Sequence, residues 1–94
     1  MRNEVNERHL SIKMHPHARE RMQERGATVD EVLKTITKGE WFRAKFGRSG
    51  FRMKLFYDDF WKGQYYHTKQ LEVYGVEEGE DFIVITVIVK YFQE

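Results

Sequence analysis

The segment spanning residues 82–92 constrains the fold more than any other. One of its alternating faces is Ile83, Ile85, Val87, Val89 and Tyr91, and the other is Phe82, Val84, Thr86, Ile88, Lys90 and Phe92. Successive side chains of a strand point to opposite sides, so this segment is apolar on both. A strand of that kind belongs inside a sheet rather than at its edge. Thr86 and Lys90 are the polar points on its less apolar face. The chain has 94 residues, enough for one domain. We expect a flexible tail over residues 1–8 and a single domain over residues 9–94.

The cover for such a strand is legible upstream. Residues 16–25 follow Pro16, which is favoured at the first helical position, and contain good helix formers with no glycine or β-branched residue. Gly26 is placed to end this helix. Thr28, with Glu31 three residues on, forms the signature of a capping box. Val29, Val32, Leu33 and Ile36 then form one apolar stripe at helical spacing, and Lys38-Gly39 supplies a basic last turn and a cap.

Before and after the helices the period is two. Leu10, Ile12 and Met14 suggest a short first strand. Residues 40–46 read as a strand and residues 47–50 as a turn. Phe51, Met53, Leu55 and Tyr57 alternate with Arg52, Lys54 and Phe56, the pattern of a half-buried strand with two cations on one side. Residues 58–67 read as a loop, residues 70–76 as a strand and residues 77–81 as an acidic turn. The fold class is therefore α+β, with two N-terminal helices packed on one face of a twisted antiparallel sheet. Val29, Val32, Leu33, Ile36, Ile83, Ile85, Val87 and Val89 are the expected helix–sheet core. The opposite face is where Arg52, Lys54, Thr86 and Lys90 would gather.

Composition narrows the chemistry. Cysteine is absent, which excludes disulfides and thiolate metal sites. The histidines His9, His15, His17 and His67 lack a metal-site spacing, and no phosphate loop, dinucleotide fingerprint or nucleophile elbow occurs. We expect no metal and no cofactor. No run approaches the roughly 18 apolar residues of a membrane span, and the charged N-terminus does not read as a signal peptide. A soluble cytoplasmic domain is the expectation. The net charge of +1 conceals an asymmetry. Residues 40–57 carry five cations against Glu40, whereas residues 70–94 are strongly acidic. A segregated basic region suits a polyanion, and an ordinary mixed-sign surface is the plain alternative.

Two groups of side chains could carry function. His17, Arg21 and Arg25 recur every fourth residue and so share a helix face. An imidazole can exchange protons near neutral pH, and guanidiniums can hold a phosphate. The structural alternative is a capping histidine with arginines paired to Glu20 and Glu24. The second group is aromatic: Trp41, Phe42, Trp61, Tyr65, Tyr66, Tyr74 and Phe92. Such rings can stack bases when exposed beside cations, or fill a core.

The segment His17-Ala18-Arg19-Glu20-Arg21-Met22-Gln23-Glu24-Arg25-Gly26, the amphipathic helix after it, and Val84-Ile85-Thr86-Val87 resemble a small bacterial and phage family of unknown function. That family is grouped with the RelE/ParE-like toxins, and the resemblance covers about residues 10–92. It implies two helices on an antiparallel sheet. It also implies a toxin-related domain acting as a metal-independent endoribonuclease, in which a 2′-hydroxyl attacks the neighbouring phosphate. RNA and a cognate antitoxin are the implied partners. By position, His17, Arg21 and Thr86 would be catalytic, and Arg25, Arg48, Arg52, Lys54 and Lys90 would bind nucleic acid. His17 would act as acid or base, with the helix N-terminus favouring the base role. The ParE branch implies a different outcome, a non-enzymatic inhibitor of a protein target, and a phage or mobile-element accessory protein is a further alternative.

Overall fold

Helix α1 (Pro16–Arg25) begins with proline in its first turn and ends at Gly26, whose φ of +82° carries the chain into the left-handed region. The computed structural model describes residues 11–94. The expected tail, together with His9 and Leu10, lies outside the described residues. His15 is the N-cap of α1, its Nδ1 accepting the backbone N–H of His17 at 3.0 Å. Helix α2 (Val29–Lys38) carries the expected capping box: Thr28 Oγ1 accepts from the Glu31 N–H, and the Glu31 carboxylate accepts from the Thr28 N–H. Its buried stripe is Val32, Thr35 and Ile36. Val29 is 44% exposed and Leu33 half-buried, so the core stripe is rotated from the expected one. Thr35 can take the buried place because its hydroxyl donates to the Glu31 carbonyl at 2.8 Å.

Five strands form one sheet: β1 (Ser11–Met14), β2 (Glu40–Arg43), β3 (Ser49–Trp61), β4 (Gln64–Glu78) and β5 (Asp81–Phe92), in the order β1-β5-β4-β3-β2. The sheet is mixed rather than purely antiparallel. Strands β2 to β5 form an antiparallel meander, and β1 joins β5 in parallel. The helices carry the chain from β1 at one edge to β2 at the other. The meander then returns it to β1. Three reversals leave β5 running opposite to β2 and alongside β1. Strand β5 is interior, as its two apolar faces require.

Helix α1 packs on β5, and α2 on β4, β3 and β2. The core between the layers is Ala18, Met22, Ala27, Val32, Ile36, Leu71, Val73, Phe82, Val84 and Val87. Ile83 and Ile85 are not in it. A bulge lets Tyr74 pair with Thr86 and the next residue, Gly75, pair with Val84, leaving Ile85 as an extra residue. An inserted residue reverses which side the alternation presents. Phe82 and Val84 therefore share the helix-facing side with Val87 and Val89. Gly75 permits this arrangement, since a Cβ there would meet the Phe82 ring and the Ile83 carbonyl.

Residues 58–67 are not a loop. Strand β3 runs through a bulge at Asp58 (φ +50°) to Trp61, and β4 starts at Gln64. Lys62 and Gly63, at φ +53° and +84°, make a two-residue turn with both central residues left-handed, the geometry that matches strand twist. The Trp61 ring stacks on Tyr91 at 5.5 Å, and Tyr57 and Tyr66 pack against the same ring. The Tyr91 hydroxyl donates to the Arg25 carbonyl at 2.7 Å. Conversely, the strand expected over residues 40–46 ends at Arg43. Residues 44–48 make a tight turn, with Ala44 N–H donating to the Arg48 carbonyl at 2.9 Å and a 3₁₀ segment, Lys45–Gly47, inside it. The expected turn residues Ser49 and Gly50 belong to β3.

Leu71 has no accessible surface at the centre of this core. Leu71→Ala is expected to lower stability by about 2–5 kcal/mol, through lost transfer energy and a residual cavity. Denaturant titration checks this, and a loss below about 0.5 kcal/mol would mean that the helix layer is not docked there.

Candidate nucleic-acid interface

The sheet face away from the helices is a grid set by register. Phe42 lies opposite Gly50, which lies opposite Tyr74, which lies opposite Thr86. The next row is Glu40, Arg52, Glu72 and Ile88, and the one after is Lys54, Gln70 and Lys90. Neighbouring strands are about 4.8 Å apart, so Arg52, Lys54, Thr86 and Lys90 do gather on one face.

Glu72 sits among them and is only 6% exposed. It accepts from Gln70 Nε2 at 3.0 Å and from the Tyr74 hydroxyl at 2.9 Å, and pairs with Lys90 Nζ at 3.2 Å. Burial pushes its pKa up, but the hydrogen bonds from Tyr74, Lys90 and Gln70 and the Lys90 charge outweigh that, and the carboxyl is held below its usual value of 4.5. The same environment raises the Tyr74 phenol, first through burial and then through its bond to the Glu72 carboxylate. Arg52 lies 4.6 Å above the Phe42 ring, and Lys54 5.5 Å above Phe92.

One end of the face opens into a cavity of about 410 Å³ where the turn after β2 rises beside the sheet. Phe42, Phe46, Tyr74 and Thr86 line it together with Arg43, Lys45 and Arg48. The Phe42 and Tyr74 rings meet edge to face at 5.8 Å. Phe46 is at φ +62° and 86% exposed.

The other expected site residues lie on α1, in the opposite layer. Ala18 and Met22 turn that helix's buried side to the sheet, and in the neighbouring stripe His17 is exposed and Arg21 half-buried. Arg21 Nη2 stands 3.2 Å from His17 Nε2, while its Nη1 donates to Glu24 at 3.0 Å. A guanidinium has no acceptor, so His17 Nε2 is the acceptor in that contact. Arg25 donates to the Val87 carbonyl at 2.8 Å and ties α1 to β5. His17, Arg21 and Arg25 therefore do not converge with Thr86, Arg48, Arg52, Lys54 and Lys90. Of the expected aromatic group, Trp61 and Tyr66 pack against Tyr91, whereas Phe42 and Tyr74 belong to the uncovered face. Sequence reading missed Glu72, although its alternation with Gln70 and Tyr74 placed it there. It also missed Phe46, whose exposure depends on the turn. Among the described residues, no group of three or more potential metal ligands occurs, and no helix is long and apolar enough to cross a membrane.

A family profile described as a domain of unknown function, DUF4258, matches residues 14–89. The chain belongs to that family. No curated protein and no solved structure matches it.

Because Glu72 binds its proton less tightly folded than unfolded, the unfolded chain takes up more protons as pH falls. The stability Glu72 contributes is present above its unfolded pKa and is lost as pH drops through the lower folded value. The advantage of the wild type over Glu72→Gln should therefore shrink between about pH 6 and pH 3, as read from denaturation midpoints. A gap that does not change with pH would mean that the carboxylate is not held ionised.

Proposed function

We propose that this domain is a RelE-type, toxin-related protein that binds single-stranded RNA on its uncovered sheet face. The observation that carries the reading is the gathering of Arg52, Lys54 and Lys90 on that face, next to a cavity lined by three more cations and three aromatic rings. Cations track a phosphate backbone, and rings accept unpaired bases.

Metal-independent cleavage would take place on this face: the 2′-oxygen would attack the neighbouring phosphorus as its proton passes to water, and the P–O5′ bond would break to leave a 2′,3′-cyclic phosphate and a 5′-hydroxyl that takes its proton from water. The phosphate charge that builds up would be met by Arg52, Lys54 and Lys90. Glu72, held ionised by its donors, orients Lys90 and Tyr74 and is a weak base. His17 lies in the other layer, so its role is to pair with Arg21 and not to exchange protons with substrate.

The experiment is fluorescence anisotropy of a labelled single-stranded RNA across a salt series. The affinity should fall steeply with salt. Arg52→Ala/Lys54→Ala should flatten the plot of log K against log salt by about 1.4, the contribution of two single-strand phosphates. His17→Ala should leave affinity within about twofold, since a distant exposed site adds no phosphate contact. In the same samples with chelator present, cleavage would leave 5′-hydroxyl ends. No binding at low salt, or binding indifferent to the double replacement, would overturn the proposal in favour of a protein target.

A further inference from the structure

Three cations are set apart from the rest. Arg21, Arg25, Arg52, Lys13, Lys69 and Lys90 each have a carboxylate or carbonyl partner. Among the described residues, Arg19, Lys34, Lys38, Arg43, Lys45, Arg48, Lys54 and Lys62 have no such side-chain partner, and three of them, Arg43, Lys45 and Arg48, stand together around one cavity. Left close together and unpaired, they repel one another and attract an anion.

The walls between them are aromatic. Phe42 and Tyr74 form a fixed edge-to-face pair, backed by Gly50, where a Cβ would strike the Phe42 ring. Phe46 stands at the rim, 86% exposed, on a left-handed backbone that a bulky L residue rarely adopts. Burial does not repay that conformation. Such strain is characteristic of positions where the exposed side chain has a use. The volume of about 410 Å³ lies at the small end of ligand sites. It suits one nucleotide and is too small for a duplex.

We infer that this cavity is a single-nucleotide subsite, in which one unpaired RNA base lies against Phe46, Phe42 and Tyr74 while Arg43, Lys45 and Arg48 hold the phosphates on either side of it. The inference rests on the uncovered face being an RNA surface, and adds to it a requirement for a base. Thr86 lines the same cavity, within the sheet row of Tyr74, and its hydroxyl is a donor and acceptor for a base edge or ribose.

The test compares a ten-nucleotide single-stranded RNA with an abasic ribose-phosphate strand of the same length, both labelled. The proteins are the wild type, Phe46→Ala, Arg43→Ala/Arg48→Ala, and Arg52→Ala/Lys54→Ala. Phe46 is so exposed that its replacement should leave the melting temperature unchanged. The wild type should prefer the strand with bases by about tenfold, the scale of one stacked base. Phe46→Ala should lose that preference and bind the abasic strand as the wild type does. Arg43→Ala/Arg48→Ala should weaken both strands alike. If Arg52→Ala/Lys54→Ala weakens RNA but Phe46→Ala retains the full preference for bases, the sheet-face reading stands and the nucleotide subsite is overturned. The subsite is also overturned if the wild type binds both strands equally. If the wild type binds neither strand, the RNA reading itself fails, and the subsite with it.

Discussion

One buried ammonium fixes how the two layers meet. Lys69, on β4, is 3% exposed. Its Nζ contacts both Glu31 carboxylate oxygens, at 2.8 and 3.0 Å, and donates to the Gly26 carbonyl. It lies 5.0 Å from the Tyr57 ring and 5.8 Å from Tyr91. Removing one partner of such a pair strands the other in a low-dielectric site, which makes a break far more costly than the pair is stabilising. Glu31 also completes the capping box of α2, and Gly26 closes α1. A single contact thus joins the end of one helix, the start of the next and the middle strand. It holds both helices on one side of the sheet, and the bare face follows from that.

The bare face is not simply basic. Glu72 is anchored in the row of Arg52, beside the row of Lys90, and it neutralises the middle of the grid. The uncompensated positive charge is therefore displaced towards the turn after β2, where Arg43, Lys45 and Arg48 stand. On the proposed reading, a polyanion would meet that corner first and then lie along the strands.

How far the sequence foretold this depends on the range of the interactions involved. The capping box at Thr28 and Glu31 and the glycine after α1 are local, and both were legible. So was the face shared by Arg52, Lys54, Thr86 and Lys90, because period-two alternation is local as well. The parallel pairing of β1 was not, since an edge partner is chosen by topology. Lys62-Gly63 looked like loop chemistry because Asn-Gly or Asp-Gly is the usual signal of such a turn. Asp58, read as the first residue of a loop, is a bulge within β3. Ile85 misled for a related reason: one inserted residue turned an unbroken alternation into two halves of opposite phase. The spacing of His17 and Arg21 was read correctly as one helix stripe. Which layer that stripe faces was decided by Ala18 and Met22 packing on β5. The corner cavity depends on Phe46 adopting a conformation that no propensity favours.

The bulge at Asp58 has a consequence for how the molecule keeps its own company. Strand β2 pairs with β3 only through Arg52, so from Met53 onward no strand flanks the outer side of β3 among the described residues. A long, flat, unpaired edge is a template for another chain's strand. Here the edge is broken by the φ of +50° at Asp58, by the charges of Lys54, Asp58 and Asp59, and by an Asp58 carboxylate that accepts from the Tyr65 hydroxyl within the same hairpin. The kink that disguises this hairpin as a loop also blunts this long edge, along which the sheet could otherwise recruit a further strand.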